Sequence, residues 1–290
     1  MNTQESIERK SLSKIKNKKV SSSKSIRFSW NHEEFDSLLR TCNSDDGVVT
    51  TLNFLKNKKV KILEAGCGLG RVVKHLYNLG YKKVSGIEID KASVKLLNSE
   101  FPELDIISGD ITNLPYKKNS FDVVLSYGVI EHFPEGPHNP LISMRNVLKS
   151  DGIVIVTVPS FNVVRQIQYF FSLVDPRRNN FIRRLFGEKQ LDRNCKRFSW
   201  YIEPQYGNFF EYRFTPKQFK NILKKAGFEI ILSRPIAHAD GLFHCFGPPL
   251  IYFKDWKFTF SRLGAFLNSV FSFIPFFHNH MHLCVVKKIK

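Results

Sequence analysis

The stretch Glu64-Ala65-Gly66-Cys67-Gly68-Leu69-Gly70-Arg71 decides the fold of this 290-residue chain. The apolar run Val60-Lys61-Ile62-Leu63 precedes it, and a helical pattern from Val72 to Leu79 follows. Glycines between a strand and a helix let the backbone turn sharply and let a ligand approach the main chain closely. A dinucleotide fingerprint spaces its glycines as G-x-G-x-x-G, and here Arg71 stands where the third would be. The Gly-Lys-Ser/Thr of a phosphate-cradling loop is absent. The spacing fits a ligand with ribose and adenine but no pyrophosphate; the plainer alternative is a tight strand–helix turn.

Outward from this turn the pattern alternates strand and helix. Strands are expected at Lys83–Ile89, Asp105–Ile107, Phe121–Ser126 and Ile153–Val158, with helices at Ala92–Glu100 and Pro140–Lys149. Before the turn, Phe28 to Asn57 reads as helical, with Ser44 or Asp45 as a cap. Repeated β-α-β units with near-continuous apolar strands mean a parallel sheet covered on both faces. The alternation pauses after Pro159. It resumes at Thr215-Pro216, where Thr caps a helix that carries Pro at its first position and closes at Gly227. Strands are expected again at Phe228–Ser233 and Leu283–Lys287.

Two acidic residues fall at strand ends. Glu88 closes the second strand, where a carboxylate can accept two hydrogen bonds from a ribose diol, whether of NAD or of another adenosyl ligand. Asp110, after Gly109, can accept from an adenine amine, with the Ile111 backbone N–H facing a ring nitrogen. A surface Glu and an ordinary Gly-Asp turn are the plainer readings.

The segments Leu63–Arg71, Gly86–Asp90, Gly109–Tyr116, Phe121–Phe133, Val147–Gly152 and Thr215–Phe228 occur in order. Together they resemble a class I S-adenosylmethionine-dependent methyltransferase of the type acting on small molecules and lipids. The resemblance implies an α/β, doubly wound, mostly parallel seven-stranded sheet (a Rossmann-like methyltransferase fold) with an antiparallel last strand and two helical insertions. It implies S-adenosyl-L-methionine as cofactor. Glu64, Ala65, Gly66, Gly68 and Gly70 would hold its methionine and ribose portion, and Glu88 the ribose hydroxyls. Ile89 would pack on adenine, Asp110 and Ile111 would read the adenine edge, and the main chain near Ser126 would help bind the methionine ammonium.

Ser126-Tyr127-Gly128-Val129-Ile130-Glu131-His132-Phe133 lies at the carboxyl end of the fourth strand, beside the expected methyl group. His132 suits proton acceptance near neutral pH. The Glu-His pair resembles ubiquinone-biosynthesis O-methyltransferases; an architectural role for both residues is the alternative. No metal is expected, because Gly128 occupies an expected acidic position. Methyl transfer from a sulfonium is an in-line displacement, so positioning the acceptor matters most.

Charge organises the rest. Lys and Arg number 44 against 26 Asp and Glu, a net charge of +18. Residues 1–27, 165–200 and 241–290 hold nearly all the excess, and 21 of the 27 Phe lie at or after Phe161. We expect a disordered basic tail over 1–27 and one methyltransferase domain over 28–290. Insertions at about 160–214 and 235–281 would form a substrate lid. Apolar stripes at Val163, Val164, Ile167, Phe170, Phe171, Val174 and at Leu263, Phe266, Leu267, Val270, Phe271, Ile274 either pack on the sheet or lie in an anionic membrane interface. His278, His280 and His282 would share one strand face.

Five scattered Cys without a CxxC pair fit a reducing, cytoplasmic setting, and the basic N-terminus has no apolar secretory segment. The basic surface would place the chain peripherally on the inner membrane face. The acceptor expected is a small molecule, a lipid or a lipid-linked glycan, methylated at oxygen; the alternatives are an RNA methyltransferase and a non-catalytic S-adenosylmethionine-binding module. Nucleic acid is disfavoured: there is no Asn/Asp-Pro-Pro-aromatic motif, no paired catalytic cysteine and no RNA-binding module.

Overall fold

The computed structural model describes residues 32–133, 135–171, 184–185, 199–202, 209–254 and 257–289. The expected tail, Val174 and much of the first insertion lie outside them. In chain order the elements are α1 (His32–Thr41), α2 (Asp46–Phe54), β1 (Ile62–Ala65), α3 (Arg71–Asn78), β2 (Val84–Glu88), α4 (Lys91–Glu100), β3 (Asp105–Ser108), β4 (Phe121–Tyr127), α5 (His138–Val147) and β5 (Leu148–Pro159). Then come α6 (Val163–Phe170), β6 (Ser199–Ile202), β7 (Phe209–Tyr212), α7 (Pro216–Lys225), β8 (Phe228–Ile236), α8 (His238–Cys245), β9 (Ile251–Lys254), β10 (Lys257–Phe260), α9 (Arg262–Ser272) and β11 (Met281–Lys288). Short 3₁₀ turns cover Ile111–Asn113 and Ile130–His132.

Seven strands form one sheet in the order β3-β2-β1-β4-β5-β11-β8, and only β11 runs antiparallel to its neighbours. Strand alternation sends side chains to two separate cores. Ile62, Val123, Leu125, Ile155, Leu283 and Val285 pack beneath Val72, Val73, Leu76, Val94 and Leu97. Leu63, Ala65, Val124, Val154 and Val156 pack beneath Leu141, Met144, Phe219 and Leu223. Burying such side chains on both faces contributes ~1.5–3 kcal/mol each, which is why the strands read as unbroken apolar runs. The fold class expected from sequence is the one observed.

The helical stretch expected across 28–57 with a cap at Ser44 or Asp45 is two helices, and Asp45 is the cap, accepting from Gly47 and Val48 N–H at the start of α2. Two local expectations need correction. β5 begins at Leu148, not Ile153: Leu148 already pairs with Phe121, and the register shifts before Val123. The three histidines do not share a face. His282 pairs with Ser233, His278 with Asn268, and His280 with Arg165. The Thr215 cap stands where the sequence places it, and Gln218 completes a capping box with it.

Candidate functional site

The strand order reverses between β1 and β4, and the connections leaving their carboxyl ends go to opposite faces of the sheet. Such a switch point leaves a crevice outside the strand ends, the usual ligand position in open α/β sheets. The turn after β1 lines it. Gly66 and Cys67 both donate N–H to the Ile87 carbonyl, at 2.9 and 3.0 Å, which folds the turn toward β2. Gly66 has φ +83°, and a Cβ there would lie 2.6 Å from Val129, in the loop after β4. Gly68 has φ +53° and open space where a Cβ would be, so its main chain is accessible. Ala65 ends β1 fully buried, and Gly70 is the N-cap of α3.

Glu88 sits at the tip of β2. Its Oε2 accepts from Gly68 N–H at 2.9 Å and its Oε1 from Asp90 N–H at 3.0 Å. Each carboxylate oxygen keeps a further lone pair for a diol. Ile89, the next residue, is 68% exposed, a large apolar side chain left uncovered beside the turn. Gly109 N–H donates to the Glu88 carbonyl at 2.9 Å, which brings the Asp110 loop alongside. Asp110 Oδ1 accepts from Thr112 N–H at 2.8 Å and so opens the 3₁₀ turn in which Ile111 is buried.

Two buried polar atoms at the crevice have no hydrogen-bond partner among the described residues: Glu64 Oε2 on β1 and Ser126 Oγ on β4. Burial pushes the Glu64 carboxyl up to about 8; Arg71 and the backbone N–H of Val73 oppose that shift. An orphaned acceptor of this kind fits a ligand bearing a cationic ammonium. Tyr127 is held by α2 instead. Its hydroxyl bonds Thr51 Oγ1 and donates to the Gly47 carbonyl at 3.1 Å.

Beyond β4, Glu131 is 2% exposed, and its Oε2 is a third orphan. Burial drives its carboxyl well above the ordinary range, and the Glu211 charge adds to this. His132 Nε2 lies 3.9 Å from Glu131 Oε1. His132 itself is 35% exposed, at the edge of the crevice.

The structure thus gathers Glu64, Gly66, Gly68, Glu88, Ile89, Asp110 and His132 around the same end of the sheet. Sequence reasoning missed the clasp above it. Arg71 Nη2 meets Asp45 Oδ2 at 2.6 Å and ties α2 to the start of α3. Its only signal was an Arg where a dinucleotide fold has glycine.

Asp240, His244 and His280 bring three ligand-type atoms within 4.8 Å of one another. Arg165 Nη2 donates to His280 Nδ1 at 2.7 Å. The neutral imidazole then carries its proton on Nε2, facing Asp240 Oδ2 at 3.8 Å. That separation is longer than a hydrogen bond, and the closer contact of Asp240 is Oδ1 to His244 Nε2 at 3.2 Å.

With this geometry in place, comparison with known proteins defines the class. Residues 63–156 match the methyltransferase domain family. A probable S-adenosylmethionine-dependent methyltransferase of Mycolicibacterium smegmatis is 32% identical over 99 residues, covering 34% of this chain and 38% of that protein. Phthiotriol/phenolphthiotriol dimycocerosates methyltransferase 1 of Mycobacterium ulcerans is 31% identical over 100 residues, covering 33% and 36%. Other matched relatives are named for ribosomal or transfer RNA. The chain spans less than half the length of the curated relatives it matches. A crystal structure of an S-adenosylmethionine-dependent methyltransferase from Methanosarcina mazei has a TM-score of 0.55 at 16% identity, covering 83% of this chain and 97% of that one. At that identity the likeness concerns the fold. The chain carries a class I S-adenosylmethionine-dependent methyltransferase domain, and S-adenosylmethionine is the cofactor of that family.

Proposed function

We propose that the protein transfers a methyl group from S-adenosylmethionine to a small-molecule, lipid or lipid-linked glycan acceptor, at oxygen, by in-line displacement. The observation that carries this reading is the crevice. An accessible glycine main chain, a ribose-type carboxylate and an orphaned buried acceptor converge at the switch point. When bound, the cofactor supplies an activated sulfonium methyl.

The chain's own residues do the rest. Glu88 takes the ribose hydroxyls while Gly68 N–H holds its carboxylate in place. Ile89 covers one adenine face, and Asp110 and Ile111 meet the adenine edge. Glu64, with Ala65, Gly66 and Gly70 fixing the turn and Ser126 opposite, receives the methionine ammonium. His132 accepts the proton from the acceptor hydroxyl, with the buried Glu131, whose carboxyl is pushed up by burial, behind it.

The charge of +18 and the RNA-named relatives favour a second reading, an RNA methyltransferase. Counter-ion release would make such binding fall steeply with salt. The test is to incubate the full chain with labelled cofactor and separate lipid, metabolite and RNA fractions. Label in the lipid or metabolite fraction is expected; label confined to RNA overturns the acceptor assignment. The His132→Ala variant should lose about 10²–10⁴-fold in turnover with unchanged cofactor affinity. Unchanged turnover would leave His132 architectural.

A further inference from the structure

Helix α9 is amphipathic with its apolar face outward. Its inner side is fixed by Gly264, where any Cβ would collide with the Leu250 carbonyl. Asn268 Oδ1, 3.1 Å from His278 Nε2, and Phe271, its ring centroid 4.8 Å from that of Phe277 in a tilted pair, hold the same side. The opposite side presents Leu263, Phe266, Val270, Phe273 and Ile274, between 40% and 84% exposed. Helix α6 is arranged in the same sense. Val164 and the buried Arg165 face inward, and Arg165 Nη1 donates to the Ser160 and His280 carbonyls. Ile167, Phe170 and Phe171 face out, Phe170 at 80%. The two helices belong to one surface unit, because Val163 and Val164 N–H donate to the Phe276 and Phe277 carbonyls just after α9.

A monomeric soluble domain rarely leaves so many large apolar side chains together in water. The chemistry at the border identifies what covers them. The β9–β10 hairpin beside α9 exposes Tyr252 and Phe253 together with Lys254 and Lys257, and Arg262 opens α9. No acidic residue lies in β9, β10 or α9. A face of aromatic and aliphatic side chains bordered by Lys254, Lys257 and Arg262, with Asp255 the one acidic residue in the hairpin sequence, complements an anionic bilayer, with acyl chains below and headgroup phosphates at the edge. No helix among the described residues is long and apolar enough to cross a membrane, so the geometry is that of surface docking.

We infer that α6, α9 and the β9–β10 hairpin form a docking surface for an anionic lipid bilayer. Its position matters. The two insertions leave the sheet at Pro159 and Ile236, both opposite Met281 in the strand register. That end of the sheet holds the crevice, so docking brings the crevice to the membrane.

The test is flotation of the full chain with vesicles of phosphatidylcholine containing 30% phosphatidylglycerol, against pure phosphatidylcholine, in about 0.1 M salt. Bound protein should be at least tenfold higher with the anionic vesicles. The paired variant Phe266→Glu/Phe273→Glu should lose at least tenfold, and the triple variant Lys254→Gln/Lys257→Gln/Arg262→Gln several-fold. All five side chains are surface groups, and an unchanged melting temperature verifies folding. Absence of flotation by the unmodified chain, or equal flotation by the paired variant, overturns the inference. A concentration-dependent dimer abolished by the paired variant, without flotation, also overturns it and assigns the face to a second copy. Thermal protection by S-adenosylhomocysteine, measured in parallel, reports on the cofactor site separately, so failure of docking and failure of the methyl-transfer reading are distinguishable.

Discussion

Glu88 and Glu64 are carboxylates at the tips of neighbouring strands, and their surroundings give them different work. Glu88 accepts from two backbone N–H groups and stays accessible to a ligand. Its removal should weaken S-adenosylhomocysteine binding at least about tenfold, since a hydrogen bond to a charged group contributes ~1.5–3 kcal/mol. Calorimetric titration of Glu88→Ala checks this; unchanged affinity would sink the assignment. Glu64 is buried, and its carboxyl titrates near 8 in the fold against an ordinary value of 4.5. At pH 7 it therefore carries a proton, and an ammonium brought against it should expel that proton. The binding enthalpy should then vary with the ionisation enthalpy of the buffer at pH 7, and this dependence should vanish in Glu64→Gln. Identical buffer dependence in both proteins would remove Glu64 from the ammonium site. Both carboxylates were legible in the sequence as residue types at strand ends, whereas the protonation of Glu64 follows only from its burial.

Among the elements, the β1–α3 turn was the most legible because its requirements are local. Gly66 combines φ +83° with Val129 at 2.6 Å from any Cβ. Gly66→Ala should therefore cost about 1–3 kcal/mol of stability and impair cofactor binding, as thermal denaturation with and without S-adenosylhomocysteine would measure. A variant as stable as the parent would contradict the close contact of the two loops. The strands were legible for a related reason, since burial on both faces leaves near-continuous apolar runs. Helices α6 and α9 were legible as amphipathic, but their orientation was not. Arg165 reads as a residue off the apolar stripe, yet it is buried because its acceptors are carbonyls of Ser160 and His280, the latter 115 residues away. The break between α1 and α2 was legible as a cap at Ser44 or Asp45, and only the backbone decided for Asp45, because both residue types cap helices.

Over the whole molecule, buried titratable groups set opposing limits on stability. Burial drives His278 down to about 4 and His280 and His282 to about 3. The unfolded chain binds protons at these histidines below about 6.5 and the folded chain does not, so their neutral burial becomes costly as pH falls through that value. Glu64 and Glu131 act in the reverse sense. Glu64 keeps a proton in the fold that the unfolded chain has released above about 4.5, so stability declines as pH rises toward 8, by up to ~1.4 kcal/mol per pH unit, and the raised Glu131 carboxyl acts in the same direction. With His75 and His238, which burial also lowers, five histidines outweigh the two carboxyls below pH 6.5, and the carboxyls dominate above it. The melting temperature should therefore peak near pH 6.5 and fall on both sides. A flat profile from pH 5 to 8 would show that these groups are solvated in solution.

What the sequence determined by itself was the strand–helix order, the glycine turn and the acidic residues at the strand tips. Each depends on neighbours within a few residues, or on an apolar pattern that burial on both faces imposes. The tertiary structure alone decided which way α6 and α9 turn their apolar faces, that Arg71 clasps Asp45 over the crevice, and that burial raises the Glu64 and Glu131 carboxyls. These depend on contacts between distant segments and on exclusion of water, and neither is encoded in any short stretch of chain.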